Sequence, residues 1–164
     1  MLSNNTMIFK TILVPYDGSA MSDKALDKAV ELAKILKESR IMIIHVVPEI
    51  PTPIFSRVIR FPKTGEVITF SEYMKSLYQE IESKMRERLE ERKEKYNKYG
   101  FPIEIYITIG SPIDKILEYS TNKKVDLIVI GSIGVTGISK FFKGLGSVSR
   151  NVSEKVSCPV LIVR

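Results

Sequence analysis

The sequence is poor in several residue types and patterns, and each shortage excludes something. It has one cysteine, Cys158, and one histidine, His45. A single thiol cannot close an intrachain disulfide, which excludes a stapled scaffold and fits a reducing cytoplasm. Ahead of a proline and an apolar strand, Cys158 reads as a small core residue. A lone imidazole offers no metal-ligand spacing, so His45 reads as a satisfied histidine of the core or its rim. The longest apolar runs, Ile41–Val47 and Leu127–Ile130, fall far short of the roughly 20 residues that cross a membrane. Met1–Lys10 carries no apolar segment ahead of a small-residue cleavage site, so no secretory signal is expected. Also missing are the G-x-x-x-x-G-K-[ST] phosphate loop and the G-x-G-x-x-G turn, which counts against a Rossmann dehydrogenase.

What is present is an ordinary globular composition. The chain has 164 residues, 44% hydrophobic and 27% charged, and reads as one domain over 1–164. Lys and Arg number 25 against 19 Asp and Glu, a net charge of +6. That modest excess favours anionic partners in general without singling out DNA. Much of the charge lies in Glu82–Lys98, where signs alternate as on a solvated helix face. Without basic and aromatic residues interleaved, nucleic acid is not an expected partner.

Strand and helix patterns alternate along the chain. Lys10–Tyr16 and Ile41–Val47 are short, apolar, β-branched runs, the pattern of buried strands. Between them Leu26, Ala29, Val30, Ala33 and Leu36 recur at helical spacing. Residues 48–70 are the least regular. Ser56–Arg60 and Glu66–Phe70 flank Phe61–Gly65, so a β-hairpin, an ordered flap and a plain surface loop all fit. Met74, Leu77, Tyr78, Ile81, Met85 and Leu89 stripe a helix from about Ser71 to Tyr99, ended by Gly100 and Pro102. A strand over Pro102–Ile109 follows, then a helix opened by Ser111-Pro-Ile-Asp114, with Ile113, Ile116 and Leu117 inward. Val125–Ile130 is a strand, Gly131–Gly146 a glycine-rich loop, Ser147–Ser157 a helix, and Pro159–Val163 the last strand. Strands joined through helices pair in parallel by right-handed crossovers. The expected fold is α/β, a three-layer sandwich around a five-stranded parallel sheet.

Such sheets bind ligands beyond the carboxyl ends of their strands, where strand order reverses. Here those ends hold Pro15–Ser19, Val46–Val47, Gly110–Pro112 and Gly131–Gly134. Gly131, Gly134 and Gly146 permit close backbone approach and positive φ. Gly146-Ser-Val-Ser149 opens a helix whose free N–H groups and dipole suit an anion such as phosphate. Ser147 and Ser149 add hydroxyls, and Lys140, Lys143 and Arg150 add charge nearby. The plainer alternative stays open: turn glycines, with Ser147 as a helix cap. Asp17 is the only acid at these strand ends. It suits either a polar ligand contact or an Asx-turn before Gly18.

The loop Gly131–Ser149 resembles the nucleotide-binding signature of the universal stress protein family, G-x2-G-x9-G-[ST]-x-S. Ile12-Leu-Val-Pro-Tyr-Asp-Gly-Ser19, Ile44-His-Val46 and Ser157-Cys-Pro-Val-Leu-Ile-Val163 resemble the family's first, second and last strands. One departure stands out: eleven residues separate Gly134 from Gly146 where the signature has nine, and Gly144 is followed by Leu145. Gly146-Ser-Val-Ser149 is therefore the better match, and a bulged loop is expected.

The resemblance implies an adenine nucleotide alpha hydrolase-like (Rossmann-like) fold and ATP binding. Pro15, Asp17 and Val46 would line the adenine and ribose side. Gly131, Gly134, Gly146, Ser147, Val148 and Ser149 would hold ribose and phosphates, with Mg²⁺ accompanying the phosphates and Asp17 touching the nucleotide or a metal-bound water. It also implies a homodimer through the C-terminal strand, which would cover an apolar edge. The function implied is a nucleotide-dependent stress-response regulator or binding module. No spacing argues for a positioned base and charge stabilisers, so ATP hydrolysis would be slow at most. Alternatives are an interaction protein of the same fold that binds no nucleotide, and an ATP-using hydrolase or nucleotidyl transferase, whose S-G-G-x-D-S loop is missing. Arg57, Arg60 and Lys63 with Phe55, Phe61 and Phe70 could make the 48–70 segment a flap over nucleotide or partner subunit.

Overall fold

The computed structural model describes residues 9–51, 58–135 and 144–164. The elements in chain order are β1 (Thr11–Pro15), α1 (Ala20–Leu36), β2 (Arg40–Val47), β3 (Val58–Arg60), β4 (Val67–Thr69), α2 (Phe70–Tyr96), β5 (Ile103–Ile109), α3 (Pro112–Asn122), β6 (Leu127–Gly131), α4 (Ser147–Lys155) and β7 (Val160–Val163). One 3₁₀ turn, Asn97–Tyr99, closes α2 and ends on Gly100 at φ +81°.

Five strands form one parallel sheet in the order β5-β2-β1-β6-β7. The chain builds outward from β1 to β2 and β5, then crosses back to lay β6 and β7 on the other side. The reversal therefore falls between β1 and β6, whose register pairs Ile12 with Leu127 and Leu13 with Ile128.

Strand alternation sorts the core into two layers. Ile12, Val14, Ile41, Ile43, Leu127 and Val129 face α1 and α2, meeting Leu26, Ala29, Ala33, Leu89 and Tyr96. Leu13, Met42, Ile44, Ile128 and Ile130 face α3 and α4, meeting Ile116 and Val152. Both faces are covered, which is why these strands are apolar throughout rather than alternating. The expected three-layer α/β sandwich is what forms. In α3 only Ile116 is fully buried, while Ile113 and Leu117 are half-buried.

The irregular 48–70 stretch contains a hairpin. β3 and β4 pair antiparallel, Ile59 opposite Ile68. Phe61 N–H donates to Glu66 O at 2.9 Å and Gly65 N–H to Phe61 O at 2.8 Å. The hairpin runs straight into α2 through a capping box: Glu72 N–H donates to the Thr69 hydroxyl and Thr69 N–H to the Glu72 carboxylate. Phe55, Ser56 and Arg57 lie outside the described residues.

Helix α2 is 27 residues long, and only Met74, Leu89 and Tyr96 of it are fully buried. Its outer face carries the exposed pairs Glu80–Lys84 and Glu82–Arg86 at i,i+4 spacing. The face is not wholly solvated as its charge pattern implied. Arg92 turns inward to Asp23 of α1 at 2.8 Å, and Tyr96 hydroxyl donates to Asp27 of the same helix.

Among the described residues no helix is long and apolar enough to cross a membrane. Ile43 is fully buried in β2, between β1 and β5. Ile43→Ala is expected to lower the unfolding free energy by about 2–5 kcal/mol, read from urea midpoints at unchanged m-value.

Candidate functional site

A cavity of about 540 Å³ opens at the carboxyl ends of β1, β2 and β6, where the strand order reverses. It lies within the range of small-molecule sites, roughly 300–1,000 Å³. All nine residues singled out in the sequence line it: Pro15, Asp17, Val46, Gly131, Gly134, Gly146, Ser147, Val148 and Ser149. The walls are of two kinds. Ile44 and Val46 from β2 and Pro48 just after it, with Pro112 and Ile116 from α3, are apolar; the loop after β6 and the start of α4 line the other side.

Helix α4 begins without a side-chain cap. Gly146 is the N-cap residue, and among the described residues no side-chain hydrogen bond caps the first turn. Ser147 is thus the first helical residue and not the cap. The first helical bond runs from Arg150 N–H to Gly146 O, so the amides of Ser147, Val148 and Ser149 precede the helix's own ladder. They stand at the positive end of the helix dipole, on the cavity wall. Ser149 is buried, and its hydroxyl is shared between Ser132 O and Gly146 O, each at 3.0 Å. That hydroxyl holds the α4 start against the β6 loop. Arg150 is exposed and does not line the cavity. Lys140, Lys143 and the expected bulge lie outside the described residues.

The glycines are required by contact, not by left-handed backbone. None of Gly131, Gly134 and Gly146 has a positive φ, which corrects half of the expectation. A Cβ on Gly131 would sit 2.8 Å from Met21 of α1, and one on Gly134 would sit 2.5 Å from Asp17 Oδ2. A Cβ on Gly146 would meet Ser132 O at 3.3 Å.

Asp17 makes the Asx-turn, one of the two readings left open by the sequence, and adds a bond that the sequence did not suggest. Oδ1 accepts from Ser19 N–H at 3.0 Å, an Asx-turn, and Oδ2 accepts from Val135 N–H at 2.8 Å, across to the loop after β6. Desolvation alone would raise its carboxyl. The Ser19 hydroxyl and amide, the Val135 amide and the Ser22 hydroxyl outweigh that and hold it below the usual aspartate range. Ser19 in turn caps α1, its hydroxyl accepting from Ser22 N–H at 3.1 Å.

Sequence reasoning missed two neighbours. His45 lines the cavity, its Nδ1 2.8 Å from Tyr16 O; a carbonyl only accepts, so Nδ1 carries the proton and Nε2 is left as an acceptor. It is the satisfied rim histidine expected. Tyr16, also on the wall, is buried and donates its hydroxyl to Asp23 at 2.5 Å. Burial first, then the Asp23 carboxylate, push its hydroxyl up to about 12. None of the described residues of 58–70 lines the cavity. Among the described residues no group of three His, Cys, Asp or Glu gathers as a metal site.

Comparison with known proteins decides the family. The universal stress protein family profile matches residues 8–164. The chain belongs to the universal stress protein family. Universal stress protein YxiE of Bacillus subtilis is 38% identical, over 96% of this chain and 100% of that one. The solved structure of MJ0577 from Methanocaldococcus jannaschii is 28% identical with TM-score 0.76, covering 95% of this chain and 96% of that one. A universal stress protein family protein of Arabidopsis thaliana, solved with AMP bound, is 19% identical with TM-score 0.61, covering 94% and 90%. At that identity the likeness is one of fold.

The stability that Asp17 contributes is fully present above the ordinary aspartate pKa, about 3.9, and is lost as pH falls through its lower folded value. Asp17→Asn is therefore expected to flatten part of the acid limb of stability below about pH 4, in urea midpoints taken against pH. The remainder stays, because Thr69 and Lys84 also hold Glu72 and Glu80 low.

Proposed function

We propose that this universal stress protein binds ATP in the cavity between β1 and β6 and acts as a dimeric, nucleotide-dependent binding module of the stress response, with at most slow hydrolysis. The observation that carries the reading is the uncapped start of α4 on the cavity wall. Three successive amides at the positive end of the helix dipole stand there on the wall of a space that no side chain of the described residues fills. Opposite, the apolar surfaces of Ile44, Val46, Pro48 and Ile116 suit a flat, weakly polar base. Pro15 and Asp17 line the β1 side of the cavity, and Gly131 and Gly134 line it after β6, where the ribose would lie.

Mg²⁺ would enter with the phosphates. Asp17 is the one acid on the wall, and both its oxygens already accept amide hydrogens. Such a donor set fits a cation held mainly by phosphate oxygens and water, with Asp17 reaching at most a bound water. That chemistry lowers phosphate charge and leaves adenine recognition to the apolar wall. The AMP seen in the Arabidopsis protein supports an adenine nucleotide in this fold.

Calorimetric titration with ATP, with and without Mg²⁺, tests the site. The wild-type chain is expected to bind, and Gly146→Val to weaken binding at least about tenfold, about 1.4 kcal/mol, because its Cβ would crowd Ser132 O at 3.3 Å and displace the start of α4. A folded wild-type protein that takes up no ATP sinks the reading and leaves a nucleotide-blind interaction protein.

The dimer rests on β7, an edge strand with Leu161 exposed and, among the described residues, no neighbour beyond it in the sheet. Leu161→Lys is expected to shift the protein towards monomer in sedimentation equilibrium. A wild-type chain that is already monomeric overturns this part.

A further inference from the structure

Helix α2 does not line the cavity, yet it holds two of the loops that do. Arg88 Nη2 donates to Gly18 O at 3.0 Å, directly behind the Asp17 turn, and also reaches Asp23 at 3.4 Å. Its guanidinium lies 5.6 Å from the Tyr16 ring centre. Ten residues earlier on the same helix, about 15 Å along its axis, the Tyr78 hydroxyl accepts from Ile50 N–H at 2.7 Å, two residues past the cavity-lining Pro48. His45 Nδ1 also joins the β2 end to Tyr16 O of the β1 turn at 2.8 Å, and α2 adds a second tie that reaches both loops.

We propose that Arg88 and Tyr78 are positioning residues through which α2 sets the β1 and β2 rims of the cavity, so that docking of α2 and occupancy of the cavity are thermodynamically linked. The nucleotide consequence rests on the ATP reading above; the strut itself does not. Gly18 sits at φ +84°, and a Cβ there would lie 3.0 Å from Arg88 Nη1, so turn and guanidinium fit each other closely. Arg88 fixes Gly18 O, Gly18 follows Asp17, and Asp17 bonds the amides of Ser19 and Val135. A loosened Arg88 therefore releases the bridge between the two loops. By reciprocity, a ligand that fastens the bridge fastens α2 and the β3–β4 hairpin that leads into it.

The test uses the full-length protein and two readouts. Hydrogen exchange at the Ser19 and Val135 amides, without nucleotide, reads the strut. Calorimetry with MgATP reads the linkage. Arg88→Met keeps the stem against Tyr16 and removes the donor. It is expected to speed exchange at both amides and weaken ATP binding about five- to tenfold. Tyr78→Phe should weaken binding about threefold, and Arg86→Met, whose partner is the exposed Glu82, should alter neither readout. Arg88→Lys, which keeps the charge beside Asp23, serves if Arg88→Met does not fold, with the same direction expected. Unchanged exchange in the Arg88 variant, or a change matched by Arg86→Met, overturns the strut whatever ATP does. Faster exchange in a protein whose wild type takes up no ATP upholds the strut and fails the nucleotide reading alone.

Discussion

The molecule is organised around one constraint of parallel sheets: β1 and β6 lie side by side, but the chain leaves their carboxyl ends towards opposite faces. From β1 it turns into α1, and from β6 it runs through the glycine loop to α4, so nothing in the sheet itself closes the gap between them. A single carboxylate spans it. Asp17 takes one amide from its own turn and one from the far loop, and Gly134 leaves it the room. The crevice owes its existence to topology and its shape to that bridge.

Support for the bridge comes in successive shells. Behind the turn, Tyr16 is tied to Asp23, and Asp23 is held by Arg92 and Arg88 from α2. These groups are partly buried, and the Asp23 carboxylate is shared among the Tyr16 hydroxyl and both guanidiniums, so they act as a network and not as an isolated pair. The pairs on the outer face of α2, such as Glu80 with Lys84, are solvated and contribute only tenths of a kcal/mol each, about 0.3–0.5. The same helix thus carries two classes of charge. Only the inward class constrains the cavity.

Much of this was legible in the residues. Continuous apolar, β-branched runs located β1, β2, β6 and β7 within one or two positions, and β5, an edge strand, was legible from Ile alternating with Glu104, Tyr106 and Thr108. Helical spacing of Met74 through Leu89 located α2. Pro15, Asp17, Val46, Gly131 and Gly134 converge because they lie at or just past strand ends, which the fold brings together, and Gly146–Ser149 join them at the start of α4. What was not legible depends on pairs distant in sequence. Nothing local to Arg88 distinguishes it from Arg86, and only the packing of α2 against α1 turns one inward to Asp23 and leaves the other to Glu82. The 48–70 segment fitted hairpin and loop equally, since three-residue strands carry too little alternation to choose. The glycines were found for partly the wrong reason: sequence shows that a Cβ is missing, not whether φ or a neighbour requires it.

The division of labour on the cavity wall follows from these origins. Its apolar side is made by residues that were already core, Ile44 and Ile116, at the edge of the layer facing α3 and α4. Its polar side is backbone: amides at the start of α4 that no cap satisfies. Backbone donors have no side-chain freedom to lose and no charge of their own to desolvate, so they hold an anion at low cost in ordering. Their aim depends on the loop that delivers α4, and that loop is anchored by Ser149 to Ser132 and by Asp17 to Val135. On the proposed reading, anion affinity at this site would be a property of how well the two loops are held. A side chain remote from the cavity can tune it without touching the ligand.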